Sequence, residues 1–140
     1  MRGPERLFLL AFVGHFVLVV ALYVLLTYQR MKAVRAGKSV VGDFARSSGD
    51  PPSAARVRRN LANQFEAPMF AYFAATVLLW TGAVATFDVA AAWIFLAGRA
   101  IHTGVQTMTD NVALRGQVYT ISFLATLALM GHVAWLVLQG

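Results

Sequence analysis

Residues 56–68, with the sequence RVRRNLANQFEAP, decide how the rest of the chain is interpreted. They begin as a basic helical sequence and continue directly into the apolar residues 69–80. Polar side chains recur here at steps of three, four and three residues, at Arg56, Arg59, Asn63 and Glu66. Because an α-helix turns by about 100° per residue, these side chains share one helical face. A polar face that enters a membrane span indicates a polar site within an apolar helical bundle.

The composition is typical of a membrane protein. Hydrophobic residues make up 59% of the 140 residues and charged residues 13%, whereas a soluble domain is about half apolar and about a quarter charged. The length indicates a single domain, residues 1–140. Cysteine is absent, which excludes disulfides, thiolate metal sites and a cysteine nucleophile of the chain's own, so thiol chemistry would require an external thiol.

The net charge of +6 is concentrated in residues 29–59, which hold eight basic and two acidic residues (8 − 2 = +6). In a membrane protein such a cluster is first a topology signal. No interleaved aromatic residues or nucleic-acid motif accompany it, so we expect no nucleic-acid partner.

Four apolar helices are expected, at about residues 7–28, 63–85, 89–109 and 115–138. The first is longer than the apolar core of a signal peptide and is followed by basic residues instead of a cleavage site, so we expect it to be retained. Gly37 is expected to end the first helix, and Ser53 and Asp88 to cap later ones. Pro68 lies inside the second helix, expected over residues 54–85, and predicts a kink.

The sequence therefore predicts an all-α, multi-pass membrane bundle of four helices. An even number of spans places both termini on the same side. The positive-inside rule makes the basic loop, about residues 30–59, cytoplasmic and leaves both termini outside the cell membrane.

A second polar face is formed by Arg99, His102 and Gln106 in the third helix. An arginine within a span costs several kcal/mol unless it faces protein, water or a counter-charge. Measured from the turn near Thr86, Glu66 lies at about 30 Å, Gln106 at about 27 Å and Arg99 at about 17 Å. An in-register hairpin then sets Glu66 beside Gln106, with Arg99 out of direct reach unless tilt, a kink, water, ligand or a neighbouring subunit joins them.

Each polar group also has a purely structural interpretation. The first polar face would be a solvated helix end, and Arg99 with His102 would be a polar clamp within the bundle. His15 and His132 would either form a haem or metal site or hydrogen-bond a neighbouring helix. The sequence offers no third ligand, which favours the hydrogen bonds, and we expect no metal site.

The ordered set of Arg59-x-x-x-Asn63-x-x-Glu66 with a following proline, Arg99-x-x-His102 and Arg115 resembles the MAPEG family (membrane-associated proteins in eicosanoid and glutathione metabolism). The motifs cover residues 56–123, and the first helix matches by pattern. Gln106, at a position where the glutathione-binding members often have tyrosine, and the short Glu66–Pro68 spacing indicate a prokaryotic branch.

The resemblance implies a homotrimer that holds glutathione at its subunit interfaces, near the cytoplasmic side. It assigns glutathione binding to Arg59, Asn63 and Glu66, with Arg56 as an auxiliary contact. His102 would help to hold the site and Tyr119 would line it. Arg115, expected from a neighbouring subunit, would stabilise the thiolate, while Arg99 and Gln106 would be structural polar groups.

The function expected from this resemblance is a transferase or peroxidase that uses glutathione or another thiol and acts on lipophilic electrophiles from the membrane lipids. The first alternative is a non-catalytic lipid-binding or scaffold member of the family. A small multidrug transporter is disfavoured because residues 7–28 contain no acidic residue. A haem or quinone protein ranks last.

Overall fold

A computed structural model of the chain describes residues 3–46 and 49–139. Ser47 and Ser48, which fall in the predicted basic loop, lie outside the described residues, as do residues 1, 2 and 140. The described part contains the helices α1 (Gly3–Arg35), α2 (Pro52–Asn63), α3 (Pro68–Trp80), α4 (Thr86–Met108) and α5 (Val112–Gln139), with a 3-10 turn at Val41–Ala45. The predicted all-α bundle is confirmed.

Helix α1 is 33 residues long, about 50 Å, and therefore exceeds the hydrocarbon core of a bilayer, which is about 30 Å thick. Gly37 ends it as expected, with a φ of 66° that only glycine adopts without strain. The N–H of Gly37 donates to the carbonyl of Val34, and that of Lys38 to Ala33, so the last carbonyls of the helix are satisfied. Among the described residues, α1 and α5 are the helices long and apolar enough to cross a membrane on their own.

The second predicted helix is interrupted instead of merely kinked. Residues 64–67 separate α2 from α3, and α3 starts with Pro68 as its first residue. Proline has no N–H to donate, and its ring clashes with the carbonyl four residues earlier, so a continuous helix through Gln64 is disfavoured. The break divides the predicted second helix, residues 54–85, into a basic segment, α2, and an apolar one, α3.

Two predicted caps also differ from the structure. Helix α2 begins at Pro52 after the extended Pro51, so Ser53 lies within its first turn. Helix α4 begins at Thr86, three residues earlier than expected, and Asp88 sits in its first turn. The Asp88 carboxylate still stabilises the N-terminus of α4, because it accepts a hydrogen bond of 2.8 Å from the N–H of Ala85.

The buried apolar side chains form two clusters that are separated along α1. Phe8 and Phe12 belong to the larger cluster, which also contains alanines of α3 and α4 and the leucines Leu78 and Leu129. Val19, Leu22 and Leu26 pack against α2 in the smaller one. His15 lies on α1 between these groups and is itself buried. His15 is hydrogen-bonded to Gln64, and Gln64 to Arg99, so these buried residues form a polar layer that crosses the bundle between the two apolar clusters.

Helices α4 and α5 approach each other closely at Gly98. A Cβ atom at this position would lie only 3.0 Å from both the Cβ and the main-chain nitrogen of Ser122. Small residues at such crossings allow the backbones of membrane helices to pack together. This contact holds α5 against α4 one residue before Arg99, which belongs to the polar layer.

Candidate functional site

A polar pocket of about 380 Å³ opens where α2, α4 and α5 meet, lined by Arg59, Ala62, Asn63, Glu66, Gln106 and Arg115. Arg59 and Asn63 come from α2, and Glu66 from the break that follows it. Gln106 lies in the last turn of α4 and Arg115 in the first turn of α5. The structure therefore brings the main predicted ligand contacts into one cavity.

Arg115 lines the pocket of its own chain, whereas the sequence led us to expect it from a neighbouring subunit. The physical reason is the short connection between α4 and α5, residues 109–111, which sets the start of α5 beside the end of α4. The predicted register is confirmed, since Glu66 and Gln106 line the same pocket. The amide nitrogen of Asn63 donates to Oε1 of Gln106 over 3.2 Å.

The charged groups of the pocket are two arginines, Arg59 and Arg115, and one carboxylate, Glu66, so the cavity has a formal charge of +1 (2 − 1). Two neutral amides, Asn63 and Gln106, complete its polar lining. Guanidinium groups bind carboxylates strongly, and a carboxylate binds an ammonium group. The pocket is suited to a small zwitterionic ligand with more negative than positive charge.

Three predicted site residues lie outside this lining. Arg56 donates from Nη2 to the exposed Asp110 over 2.8 Å, an ion pair that joins α2 to the α4–α5 connection. The rings of His102 and Tyr119 contact each other edge to face, with centroids 5.7 Å apart. Their contact lies deeper between α4 and α5, where the Arg99 guanidinium also sits 5.7 Å from the Tyr119 ring.

Arg99 is fully buried and is held by the break between α2 and α3. Its Nε donates to Oε1 of Gln64 over 2.9 Å, and its Nη2 donates to the main-chain oxygen of Asn63 over 2.6 Å. Among the described residues no ion pair joins it to Glu66, in agreement with the predicted separation. The predicted role of Arg99 as a polar clamp is therefore supported by its contacts.

Gln64 is the centre of the polar layer, and the sequence analysis missed it. Its Oε1 also accepts a hydrogen bond of 3.0 Å from Nε2 of His15. Its Nε2 donates to Asn60 over 3.0 Å and to Thr103 over 3.3 Å. One amide thus joins α1, α2 and α4. The sequence did contain a signal for this contact. Gln64 is a single amide at the start of one apolar span and His15 is a single histidine in another, and buried polar groups need hydrogen-bond partners.

Both histidines of the outer helices hydrogen-bond a neighbouring helix, as expected. Besides Gln64, His15 contacts the hydroxyl of Tyr72 on α3, 3.0 Å from its Nδ1. His132 on α5 donates from Nδ1 to the buried carboxylate of Asp88, at 2.9 Å and 3.0 Å from its two oxygens. Within residues 3–46 and 49–139, no cluster of three or more His, Cys, Asp or Glu side chains is arranged to hold a metal ion.

In the part of the chain that the structure describes, three buried nitrogens in or beside the polar layer have no hydrogen-bond partner. They are Nδ2 of Asn60, Nη1 of Arg99 and Nδ1 of His102. Buried polar atoms are normally satisfied by protein, water or ligand. These atoms are therefore unused hydrogen-bonding capacity within the bundle.

The sequence profile of the MAPEG family matches residues 8–135 of the 140-residue chain. The chain belongs to the MAPEG family. No match was found among curated proteins or among solved structures. The protein is therefore a membrane protein of a family whose members act in eicosanoid and glutathione metabolism. The matched range includes every residue that lines the polar pocket.

This MAPEG protein has a second, apolar cavity on the other side of the break. A groove of about 770 Å³ runs between α1 and α3, with Phe16, Val20 and Met69 among its lining residues. His15, Gln64 and Tyr72 are polar residues of its lining. Asn63 and Gln64 are consecutive residues, so a single peptide unit separates the polar pocket from the apolar groove.

The basic loop is anchored to the helices by Asp50. Its side chain is fully buried and accepts hydrogen bonds from Arg30 at 2.7 Å and 3.0 Å. Arg58 of α2 lies 3.0 Å from the same carboxylate. This hydrogen bonding raises the pKa of Arg30 further above its ordinary value. The Arg30 guanidinium also lies over the Phe44 ring, 5.1 Å from its centroid.

Proposed function

We propose that this MAPEG protein binds glutathione, or a closely similar thiol, in the polar pocket and transfers its sulfur to lipophilic electrophiles or uses it to reduce peroxides. The observation that carries the proposal is the presence of Arg59, Asn63, Glu66 and Arg115 in a single cavity of about 380 Å³. This volume lies within the usual range for small-molecule sites.

The lining fits the functional groups of glutathione. The tripeptide carries two carboxylates, one ammonium group and a thiol. Arg59 and Arg115 are able to bind anionic groups, Glu66 the ammonium group, and Asn63 and Gln106 the peptide groups.

Glutathione supplies the nucleophilic sulfur that the cysteine-free chain lacks. A thiol with an ordinary pKa of about 8.5 is only a few per cent ionised at neutral pH, and a nearby cation increases that fraction. Arg115 is our candidate for this role, since it lies at the start of α5 with its guanidinium at the pocket. Arg59, Asn63 and Glu66 would hold and orient the peptide part.

The direct test combines binding and kinetics on the purified protein in detergent. We expect calorimetry to show glutathione binding that Arg59→Ala and Glu66→Gln weaken at least tenfold. Arg115→Ala should lower conjugation of a lipophilic chloronitrobenzene by up to about thirtyfold at pH 7, with less loss at pH 9, where the thiol ionises unaided. Arg6→Ala is the matched control, because it also removes one arginine but lies in the first turn of α1 and does not line the pocket.

Absence of glutathione binding would overturn the proposal and favour a lipid-binding or scaffold role. The apolar groove of about 770 Å³ is the specific observation in favour of that second function. If glutathione binds but no electrophile or peroxide is turned over, the protein is a family member that binds thiols without catalysis.

We further propose a homotrimer with four spans per chain, both termini outside and the basic loop in the cytoplasm. The family implication supports the trimer, and the eight basic residues among residues 29–59 support the orientation. Native mass spectrometry would measure the subunit number. Because the chain contains no cysteine, single variants Ser39→Cys and Thr86→Cys would report the two sides through a membrane-impermeant maleimide.

A further inference from the structure

An ion pair between Arg56 and Asp110 lies beside one end of the polar pocket. Arg56 precedes the lining residue Arg59 by three residues on the same face of α2. Asp110 lies in the α4–α5 connection, four residues after Gln106 and five before Arg115, which both line the pocket. Nη2 of Arg56 donates to Oδ2 of Asp110 over 2.8 Å. The pair therefore joins the α2 wall of the pocket to its α4–α5 wall.

The α4–α5 connection is held in shape by hydrogen bonds of its own. The N–H of Asn111 donates to Oγ1 of Thr109 over 3.3 Å. Oδ1 of Asn111 accepts a hydrogen bond of 2.9 Å from the N–H of Leu114 and so caps the start of α5. Loss of the ion pair should therefore leave the start of α5, and with it Arg115, in place.

The arginines of α2 differ in how replaceable their carboxylate partners are. Arg58 contacts Asp50, which is fully buried and also accepts two hydrogen bonds from Arg30. Displacing that carboxylate would separate a buried charge from its partners, which is costly. A ligand carboxylate that displaced Asp110 would only replace one anion by another on the guanidinium of Arg56. Arg56 is therefore the arginine of α2 that a bound anion is able to take over.

Glutathione in the polar pocket would extend toward Arg56. Glu66 is the carboxylate of the pocket lining and is suited to bind the ammonium group of the γ-glutamyl end. Arg59 lies seven residues earlier, about 10 Å at the helical rise, which is close to the length of an extended chain of three residues. The glycine carboxylate would then lie near Arg59, whose side chain leans toward the N-terminus of α2 and hence toward the turn that carries Arg56.

We propose that Asp110 determines the selectivity of the pocket by competing with the glycine carboxylate of glutathione for Arg56. In the empty protein Asp110 neutralises Arg56. When glutathione is bound, its glycine carboxylate takes over this guanidinium and Asp110 is released. A thiol with a free carboxylate at this position is therefore preferred over one without it. The inference rests on the function proposed above, since it requires glutathione in the polar pocket.

The test titrates glutathione into the full-length protein in detergent, by calorimetry at low ionic strength. Asp110→Asn should bind glutathione about three- to fivefold more tightly, because the competing carboxylate is removed and ion pairs of this kind contribute up to about fivefold. Arg56→Gln should bind it more weakly by a similar factor. Adding Asp110→Asn to Arg56→Gln should change the affinity by less than about twofold, because the gain depends on Arg56.

Two controls separate this competition from other effects. Asp43→Asn removes a carboxylate from the basic loop and should leave the affinity for glutathione unchanged. Glutathione ethyl ester, in which the glycine carboxylate is blocked, should bind wild type and Asp110→Asn equally within about twofold. Equal unfolding temperatures of Asp110→Asn and wild type would show that the fold is unaltered.

Four results would overturn the inference. An unchanged affinity in Asp110→Asn would mean that Asp110 does not compete, and an unchanged affinity in Arg56→Gln would mean that another cation, such as one of a second subunit, binds the glycine carboxylate. A gain from Asp110→Asn that persists without Arg56, or that is equal for the ester, would mean a general charge effect. All of these leave the proposed function standing. Absence of glutathione binding to wild type and to every variant would overturn both.

Discussion

Nη2 of Arg99 donates a hydrogen bond of 2.6 Å to the main-chain oxygen of Asn63, so that a side chain of α4 holds the backbone where α2 ends. The last carbonyls of an α-helix have no partner within the helix, and a guanidinium group is a strong donor to them. The position of Asn63 and Glu66 in the polar pocket is therefore linked to a contact that lies within the bundle.

We expect Gln64→Ala to destabilise the protein by about 2–6 kcal/mol. The change removes the acceptor of Arg99 and His15 and leaves two buried donors without a partner, at about 1–3 kcal/mol each. Equilibrium unfolding in mixed detergent would measure the loss. Gln117→Ala replaces an exposed glutamine on α5 and should change stability by less than about 0.5 kcal/mol. Similar losses in both variants would contradict the central role of Gln64.

Gly98→Ala should destabilise the bundle by about 1–3 kcal/mol, because the added methyl group would lie 3.0 Å from atoms of Ser122. Gly104→Ala on the same helix meets nothing within 4 Å and should stabilise α4 by up to about 1 kcal/mol through its higher helix propensity. The two unfolding temperatures should therefore move in opposite directions. A gain in stability at Gly98 would show that α4 and α5 are less closely packed than described.

Asp88→Ala should cost about 3 kcal/mol, since it removes the hydrogen bond to the start of α4 and leaves His132 without its buried partner. Asp110→Ala breaks an exposed ion pair with Arg56 and should cost at most about 1 kcal/mol. Thermal unfolding of the two variants compares them directly. If Asp110→Ala lowers the stability more than Asp88→Ala does, the structural role assigned to Asp88 is wrong.

Asp50→Asn should release the basic loop without unfolding the bundle. The carboxylate holds Arg30 of α1 and Arg58 of α2, so its neutralisation weakens both contacts that tie the loop to the helices. Trypsin should then cleave at Lys38 and Arg46 severalfold faster, since local opening exposes the backbone. Asp43→Asn, an exposed residue of the same loop, is the control, and equal cleavage of both variants would argue against anchoring by Asp50.

The sequence was sufficient to predict the bundle and most of the polar pocket. Regular spacing placed Arg59, Asn63 and Glu66 on one face, and axial distances placed Glu66 beside Gln106. Helix geometry holds for Arg59 and Asn63 on α2, whereas Glu66 lies in the break and reaches the same pocket from there, so the prediction of one shared helical face was wrong for Glu66 although its predicted neighbour, Gln106, was right. The axial distances also predicted that Arg99 would not reach Glu66 directly, and the structure shows the guanidinium bonded to Gln64 and Asn63 instead.

Gln64 and the break could not be predicted in the same way. The partners of Gln64 lie 49 residues away on α1 and 35 residues away on α4, and no periodicity within one helix reports such contacts. Pro68 indicated a disturbance, but the choice between a kink and a full break depends on what replaces the lost hydrogen bonds. Here Arg99 and the polar layer supply the replacement, which makes the break stable.

The break also has a consequence for how the sequence can vary in relatives. Asn63 faces the polar pocket and Gln64 the apolar groove, so an insertion or deletion of one residue between Asn60 and Glu66 would turn the following side chains by about 100° and misplace them in both cavities. The chain length from Asn60 to Glu66 should therefore be fixed during evolution. In the loop near Val41, which lines neither cavity, length changes should be frequent.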